Sequence, residues 1–249
     1  FLPKDTWNNM INCYRRKDWI NKINKWKYQF PFIYEPIKNK LKTQQVLEHL
    51  NIMLPEDYII TTDVGAHQMW TSQYIKWKKP KTMLSSGSLG CMGVGLPYAI
   101  GAQTAFPNKT VIAVCGDFSF DMSLNDLKTV KEHNTPVKIM VMNDGAQSMV
   151  WAWTQYFYEG REAGVLRKNP NYPKYAEIAN GYGIESIVCD RPEDLSSCIQ
   201  LMMEFDGPIL CEFKVEKDKC FPLVKPGCAL DEVIYNEEYK PEEGVLTPC

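Results

Sequence analysis

Two strand-like runs, TVIAVC at 110–115 and VKIMVM at 137–142, flank a single helical stretch, LNDLKTVKEH. Runs this apolar have no polar face to offer water, so they require a sheet covered on both sides. The same kind of segment recurs in YIITT at 58–62, a shorter TMLSS at 82–86, IESIVC at 184–189 and ILCEFKV at 209–215. Helical patterns lie between them. One spans Thr43 to Leu54, with Val46, Leu47 and Leu50 on a single face. Others are expected over residues 64–77, 97–106, 173–182 and 192–204. Strands alternating with helices predict an α/β fold: a parallel sheet with helices on both faces.

Composition narrows the function classes. With 249 residues the chain accommodates one large α/β domain, or a domain with an appendage. Its net charge of −2 gives no overall field for nucleic acid or a membrane surface, and neither partner is expected. The basic clusters Arg15, Arg16, Lys17 and Lys78, Lys79, Lys81 read as solvated surface. No run of eighteen apolar residues occurs, so no membrane span is predicted. Nine cysteines without Cys-x-x-Cys spacing point to a soluble protein of a reducing compartment, with Cys115 and Cys211 as small buried hydrophobes. Three histidines, at 49, 67 and 133, make a zinc site unexpected. The chain opens on Phe1 with no signal peptide after it, which reads as a fragment.

Ligands of parallel sheets bind beyond the carboxyl ends of the strands, so the residues there matter most. The first apolar run turns abruptly into Gly116-Asp117, within VCGDFSFDMS, and the second ends at Asn143-Asp144-Gly145. A carboxylate at the end of a buried strand is costly unless something uses it. One strand–helix–strand crossover separates the two acids, and Ser123 with Asp126 has the spacing of a helix capping box. If the strands are neighbours, Asp117 and the Asn143-Asp144 pair face each other across a gap of cation size. Mg²⁺ favours such oxygen donors together with substrate phosphates. The alternative is that both acids are polar turn residues or helix caps.

These residues resemble a known family. Gly116-Asp117, followed by Ser119 and then Asn143-Asp144, is similar to the motif that binds thiamine diphosphate through Mg²⁺. TTDVGAHQMWTSQ, SGSLGCMGVGLPYAIGAQ, QSMVWAWTQYFYEGR and PGCALDE follow in the family's order. Over roughly residues 40–235 the chain resembles the carboxyl-terminal cofactor domain of the acetohydroxyacid (acetolactate) synthase catalytic subunits. The resemblance implies that residues 1–38 connect from a preceding FAD-type domain, that 39–235 bind thiamine diphosphate, and that 236–249 are a tail. It implies Mg²⁺ on Asp117, Asp144 and the Ala146 carbonyl. It implies diphosphate contacts at Val64, Gly65, Ala66 and His67, and a wedge under the cofactor at Met92, beside Gly90 and Cys91. Gly116, Phe118, Ser119, Gln147, Ser148 and Met149 would complete the cofactor pocket. Met149, Val150 and Trp153 would shape the pocket for the second substrate.

The activity implied is decarboxylation of pyruvate and condensation with a second 2-keto acid, pyruvate or 2-ketobutyrate. The products would be 2-acetolactate or 2-aceto-2-hydroxybutyrate, towards branched-chain amino acids. No catalytic residue is expected in this stretch, because the family's activating glutamate belongs to an amino-terminal domain. The chain alone is therefore expected not to turn over pyruvate. FAD in the longer enzyme, a homodimer or homotetramer, a regulatory small subunit and, in a eukaryote, a plastid or mitochondrial location are implied as well. Phe118, Asp144, Ala66, Ser148 and Ala152 depart from the family pattern. They leave two alternatives open: another thiamine-diphosphate decarboxylase or oxidase, or a non-catalytic relative that only binds cofactor or partner.

Overall fold

The computed structural model describes residues 14–162, 164–166, 173–229 and 231–234. The chain divides into two units, residues 1–35 and 36–249. Within the first, Tyr14–Gln29 form helix α1. Its Trp19 and Trp26 meet edge to face at 5.6 Å, and Lys22 lies over both rings. The tail at 236–249 lies outside the described residues, as do Cys13 and Cys249.

The second unit is built on a six-stranded, wholly parallel sheet: β1 (Tyr58–Thr62), β2 (Met83–Leu84), β3 (Thr110–Gly116), β4 (Lys138–Asn143), β5 (Glu185–Cys189) and β6 (Ile209–Lys214). Their order is β2-β1-β3-β4-β6-β5. The strands expected from the sequence are all present, although TMLSS contributes only two residues. Every residue of β1 and β4 is buried, as their lack of a polar face required.

Alternate strand residues feed two core layers. Ile60, Ile112, Val114 and Met140 pack with helices α2 (Thr43–Met53), α3 (Ala66–Tyr74) and α9 (Leu195–Glu204). Ile59, Val111, Ala113 and Val141 pack on the opposite face with α4 (Gly95–Ala105), α6 (Leu127–Glu132) and α8 (Tyr175–Gly181). Each fully buried aliphatic side chain contributes about 1.5–3 kcal/mol. The remaining helices are a short α5 (Asp117–Phe120) and α7 (Ser148–Phe157). Leu223–Val224 and Val233–Ile234 form a small antiparallel pair, β7 and β8.

Two local expectations fail. Ser123 does not cap a helix: its hydroxyl is buried without a hydrogen-bond partner. The chain instead makes a 3₁₀ turn at Leu124–Asp126, so the α-helix begins only at Leu127, three residues later than a cap at Ser123 would start it. The helix after β1 stops at Tyr74, not Trp77, because Ile75 is extended.

Strand order also fixes where a ligand fits. The chain leaves β1 for α3 on one face and leaves β3 for α6 on the other. Their carboxyl ends diverge, opening a crevice of the kind where α/β sheets bind ligands.

Candidate functional site

A cavity enclosing about 540 Å³, mouth included, opens at that crevice. Three turns wall it. Val64, Gly65, Ala66 and His67 follow β1; Gly116, Asp117, Phe118 and Ser119 end β3 and start α5; Asp144, Ala146, Gln147, Ser148, Met149 and Val150 follow β4. Met92, from the glycine-rich loop, closes another side.

Adjacency of β3 and β4 brings the acids together. Gly116 pairs in register with Met142, so Asp117 and the Asn143-Asp144 turn emerge side by side. Asp117 is 1% exposed. Asp144 Oδ1 accepts a hydrogen bond from the Ala146 N–H at 3.0 Å, and Oδ2 accepts one from the Ser148 hydroxyl. Burial pushes the Asp144 carboxyl up to about 6, and those two bonds, with the Lys217 charge, act against the rise.

Gly65 makes the first turn possible. Its φ of 155° is open only to glycine, and a Cβ there would meet the His67 ring at 2.8 Å. The turn lets α3 start at Ala66, so the first N–H groups of a helix border the cavity, where they favour anions. His67 is buried in the same wall. Burial holds its pKa down at about 4, against a hydrogen bond to the Asp63 backbone, so the ring is neutral at pH 7. Its Nε2 has no hydrogen-bond partner. Ser119 donates to the Val64 carbonyl at 3.1 Å and ties the first turn to the second.

Asp63, at the end of β1, is fully buried and accepts from the Gly95 N–H at 3.0 Å. Burial raises its pKa, with the Gly95 N–H opposing. This acid seats the N-terminus of α4 and does not line the cavity.

Three expected residues lie outside the wall. Gly90 and Cys91 belong to the same loop as Met92 but do not border the cavity, and Cys91 is exposed. Gly90 adopts a left-handed conformation and ends a short 3₁₀ turn, and the Ser86 hydroxyl accepts from the Cys91 N–H. Trp153 sits on α7 and packs edge to face on Phe157 at 4.8 Å. Spacing along an irregular loop or a helix does not tell which residues turn inward.

Conversely, Thr43, Trp70 and Met142 line the cavity although their sequence context did not single them out. Trp70 was within reach, lying one turn beyond His67 on the same helix face. Thr43 carries no local signal. It begins α2, held there because Lys42 and Gln44 both bond Asp218 Oδ2 at 3.0 Å from beyond β6.

Known proteins share much of this sequence. Residues 63–213 match the family model described as "Thiamine pyrophosphate enzyme, C-terminal TPP binding domain". Over 94% of its length the chain is 38% identical to a protein of Schizosaccharomyces pombe named "Acetolactate synthase, mitochondrial", covering 35% of that protein. It is 39% identical, over 88% of its length, to "Acetolactate synthase catalytic subunit, mitochondrial" of Saccharomyces cerevisiae, covering 32%. It is 36% identical, over 87% of its length, to "Acetolactate synthase large subunit" of Lactococcus lactis, covering 37%. The chain thus spans about a third of the length of these curated relatives.

Proposed function

The chain belongs to the thiamine pyrophosphate enzymes, as their C-terminal cofactor-binding domain, and from that premise we propose that the protein is an acetolactate synthase using Mg²⁺-thiamine diphosphate. The observation that carries this reading is the convergence of Asp117 and Asp144, from neighbouring parallel strands, on one cavity bordered by a helix N-terminus.

The residues suit the cofactor. Asp117, Asp144 and the Ala146 carbonyl offer only oxygen, the donor set Mg²⁺ prefers. The unpartnered Nε2 of His67 and the N–H groups at Ala66 and His67 border the space for a diphosphate. Bound thiamine diphosphate supplies the electron sink that makes loss of CO₂ from a 2-keto acid possible. The chain's own part is placement. Gly65 and Gly116 would let the backbone approach the diphosphate, Met92 would support the cofactor's rings, and Met149 and Val150, which line the cavity, would bias the choice of acceptor. One methylene in such a pocket is worth about 1–3 kcal/mol, enough to separate pyruvate from 2-ketobutyrate.

Residues 39–235 are read as the cofactor domain and 1–38 as the end of an FAD-type domain. A homodimer or homotetramer, open to a regulatory small subunit, and in a eukaryote a mitochondrial or plastid location, complete the reading. The test is acetolactate formation from pyruvate by the full-length protein, with and without Mg²⁺ and thiamine diphosphate. Product dependent on both is expected. Cofactor binding without product would leave the non-catalytic alternative.

A further inference from the structure

A carboxylate in the middle of a parallel strand covered on both faces needs a reason, and Glu212 is one. It lies in β6, 2% exposed, in register with Val141 of β4. The side chain is fully committed. Oε1 accepts from Asn143 Nδ2 at 2.8 Å, and Oε2 accepts from the Ala176 N–H at 3.1 Å. Asn143 immediately precedes Asp144. Ala176 immediately follows Tyr175, which opens α8.

Tyr175 reaches the other acid. Its hydroxyl donates to the Asp117 carbonyl at 3.0 Å and lies 2.9 Å from Asp121 Oδ1, and its ring packs edge to face on Phe120 at 5.7 Å. A continuous buried path therefore runs from Asp144 through Asn143, Glu212 and the start of α8 to Asp117. We propose that Glu212 and Tyr175 are positioning residues that set the separation of the two cation-bearing turns, and through it the affinity for the divalent cation. The inference rests on the reading of Asp117 and Asp144 as ligands, but neither Glu212 nor Tyr175 lines the cavity.

Two ions separate positioning from mere stability. Coordination by Mg²⁺ demands near-ideal octahedral geometry at about 2.0–2.1 Å, so a displacement of a few tenths of an ångström in one turn is felt by the ion. Ca²⁺, at 2.3–2.6 Å with flexible geometry, tolerates such a displacement. A loosened brace should therefore penalise Mg²⁺ more than Ca²⁺, which a general loss of stability does not do.

The experiment uses the full chain with Tyr175→Phe, which removes one hydroxyl and keeps the ring, and Glu212→Gln, which keeps shape but turns one of the two acceptor oxygens into a donor, so one of the two bonds is lost. Ser186→Ala is the control: Ser186 donates to the Ala176 carbonyl, not to the N–H that Glu212 holds, so it touches α8 at a group the path does not use. Tryptophan fluorescence, with Trp70 in the cavity wall, reports thiamine-diphosphate uptake as Mg²⁺ or Ca²⁺ is titrated, and thermal midpoints are measured alongside. Expected is a Mg²⁺ midpoint about three- to tenfold higher in Tyr175→Phe and Glu212→Gln, a smaller shift with Ca²⁺, and no shift in Ser186→Ala. Unchanged Mg²⁺ midpoints, or equal shifts for both ions tracking the thermal midpoint, would overturn the brace alone. A wild-type chain that takes up no thiamine diphosphate with either ion would overturn the reading of the site as well.

Discussion

Asp144 and His67 face the same cavity and titrate in opposite senses. The Asp144 carboxyl is raised from 3.8 to about 6, so its contribution to stability is present below pH 4 and is lost as pH rises through 6. His67 is depressed from 6.5 to about 4, so its contribution is present above pH 6.5 and is lost as pH falls through 4. Each is worth of the order of 2–3 kcal/mol, and over pH 4–6.5 they largely cancel. Asp144→Asn leaves His67 alone. Without metal, the variant should melt higher than wild type at pH 7 and equal to it near pH 4, with a steeper fall between, as followed by thermal melts at half-unit steps. An unchanged difference across that range would contradict the shift. The same variant removes a negative charge beside a diphosphate, so thiamine diphosphate should bind more tightly, or with a shallower Mg²⁺ dependence. Ser148 sharpens this point. Its bond to Asp144 commits an oxygen that a cation would use. Ser148→Gly should lower the Mg²⁺ midpoint severalfold in the same titration.

Elements were legible where burial dictates pattern and obscure where it does not. The strands could be read because their apolar runs have no second environment available. α7 was not expected as an element: SMVWAWTQYF is crowded with aromatics and carries no capping signal, and tertiary packing of Ala152 and Met149 decides it. The capping box failed for the complementary reason, since a spacing that fits a cap also fits a 3₁₀ turn. The junction of α4 with the sheet is testable at this scale. A Cβ on Gly95 would meet Asp63 Oδ2 and Cys115 Sγ, both at 2.8 Å. Gly95→Ala should therefore cost about 1–3 kcal/mol by overpacking, read as a lower urea midpoint with unchanged slope. Gly116→Ala puts its Cβ 2.7 Å from His67 Nδ1 at a backbone conformation any residue adopts. That variant should lose cofactor binding out of proportion to its stability.

At the scale of the molecule, among the described residues every member of both core layers and of the cavity wall lies at or beyond Leu41. A chain starting at Pro36 should keep its thermal midpoint within a few degrees and its thiamine-diphosphate affinity. A collapse of either would show that residues 1–35 support the fold. Among the described residues no helix is long and apolar enough to cross a membrane. The acids of the site and the parallel architecture were readable because both follow from what buried strands demand. The wall contributed by Thr43 was not, because it depends on a pairing of Lys42 and Gln44 with Asp218, across most of the chain.

The position of Glu212 has a consequence in time. Among the described residues, all that line the cavity except Thr43 fall between 64 and 150, one continuous run of sequence, whereas the strand carrying Glu212 comes about sixty residues later. On a ribosome adding about 5–20 residues per second, the walls of the pocket emerge roughly 3–12 s before the strand that fixes their spacing. A nascent chain would then hold a formed but unset pocket, and Mg²⁺ would be selected over a larger ion only once β6 has slotted between β4 and β5.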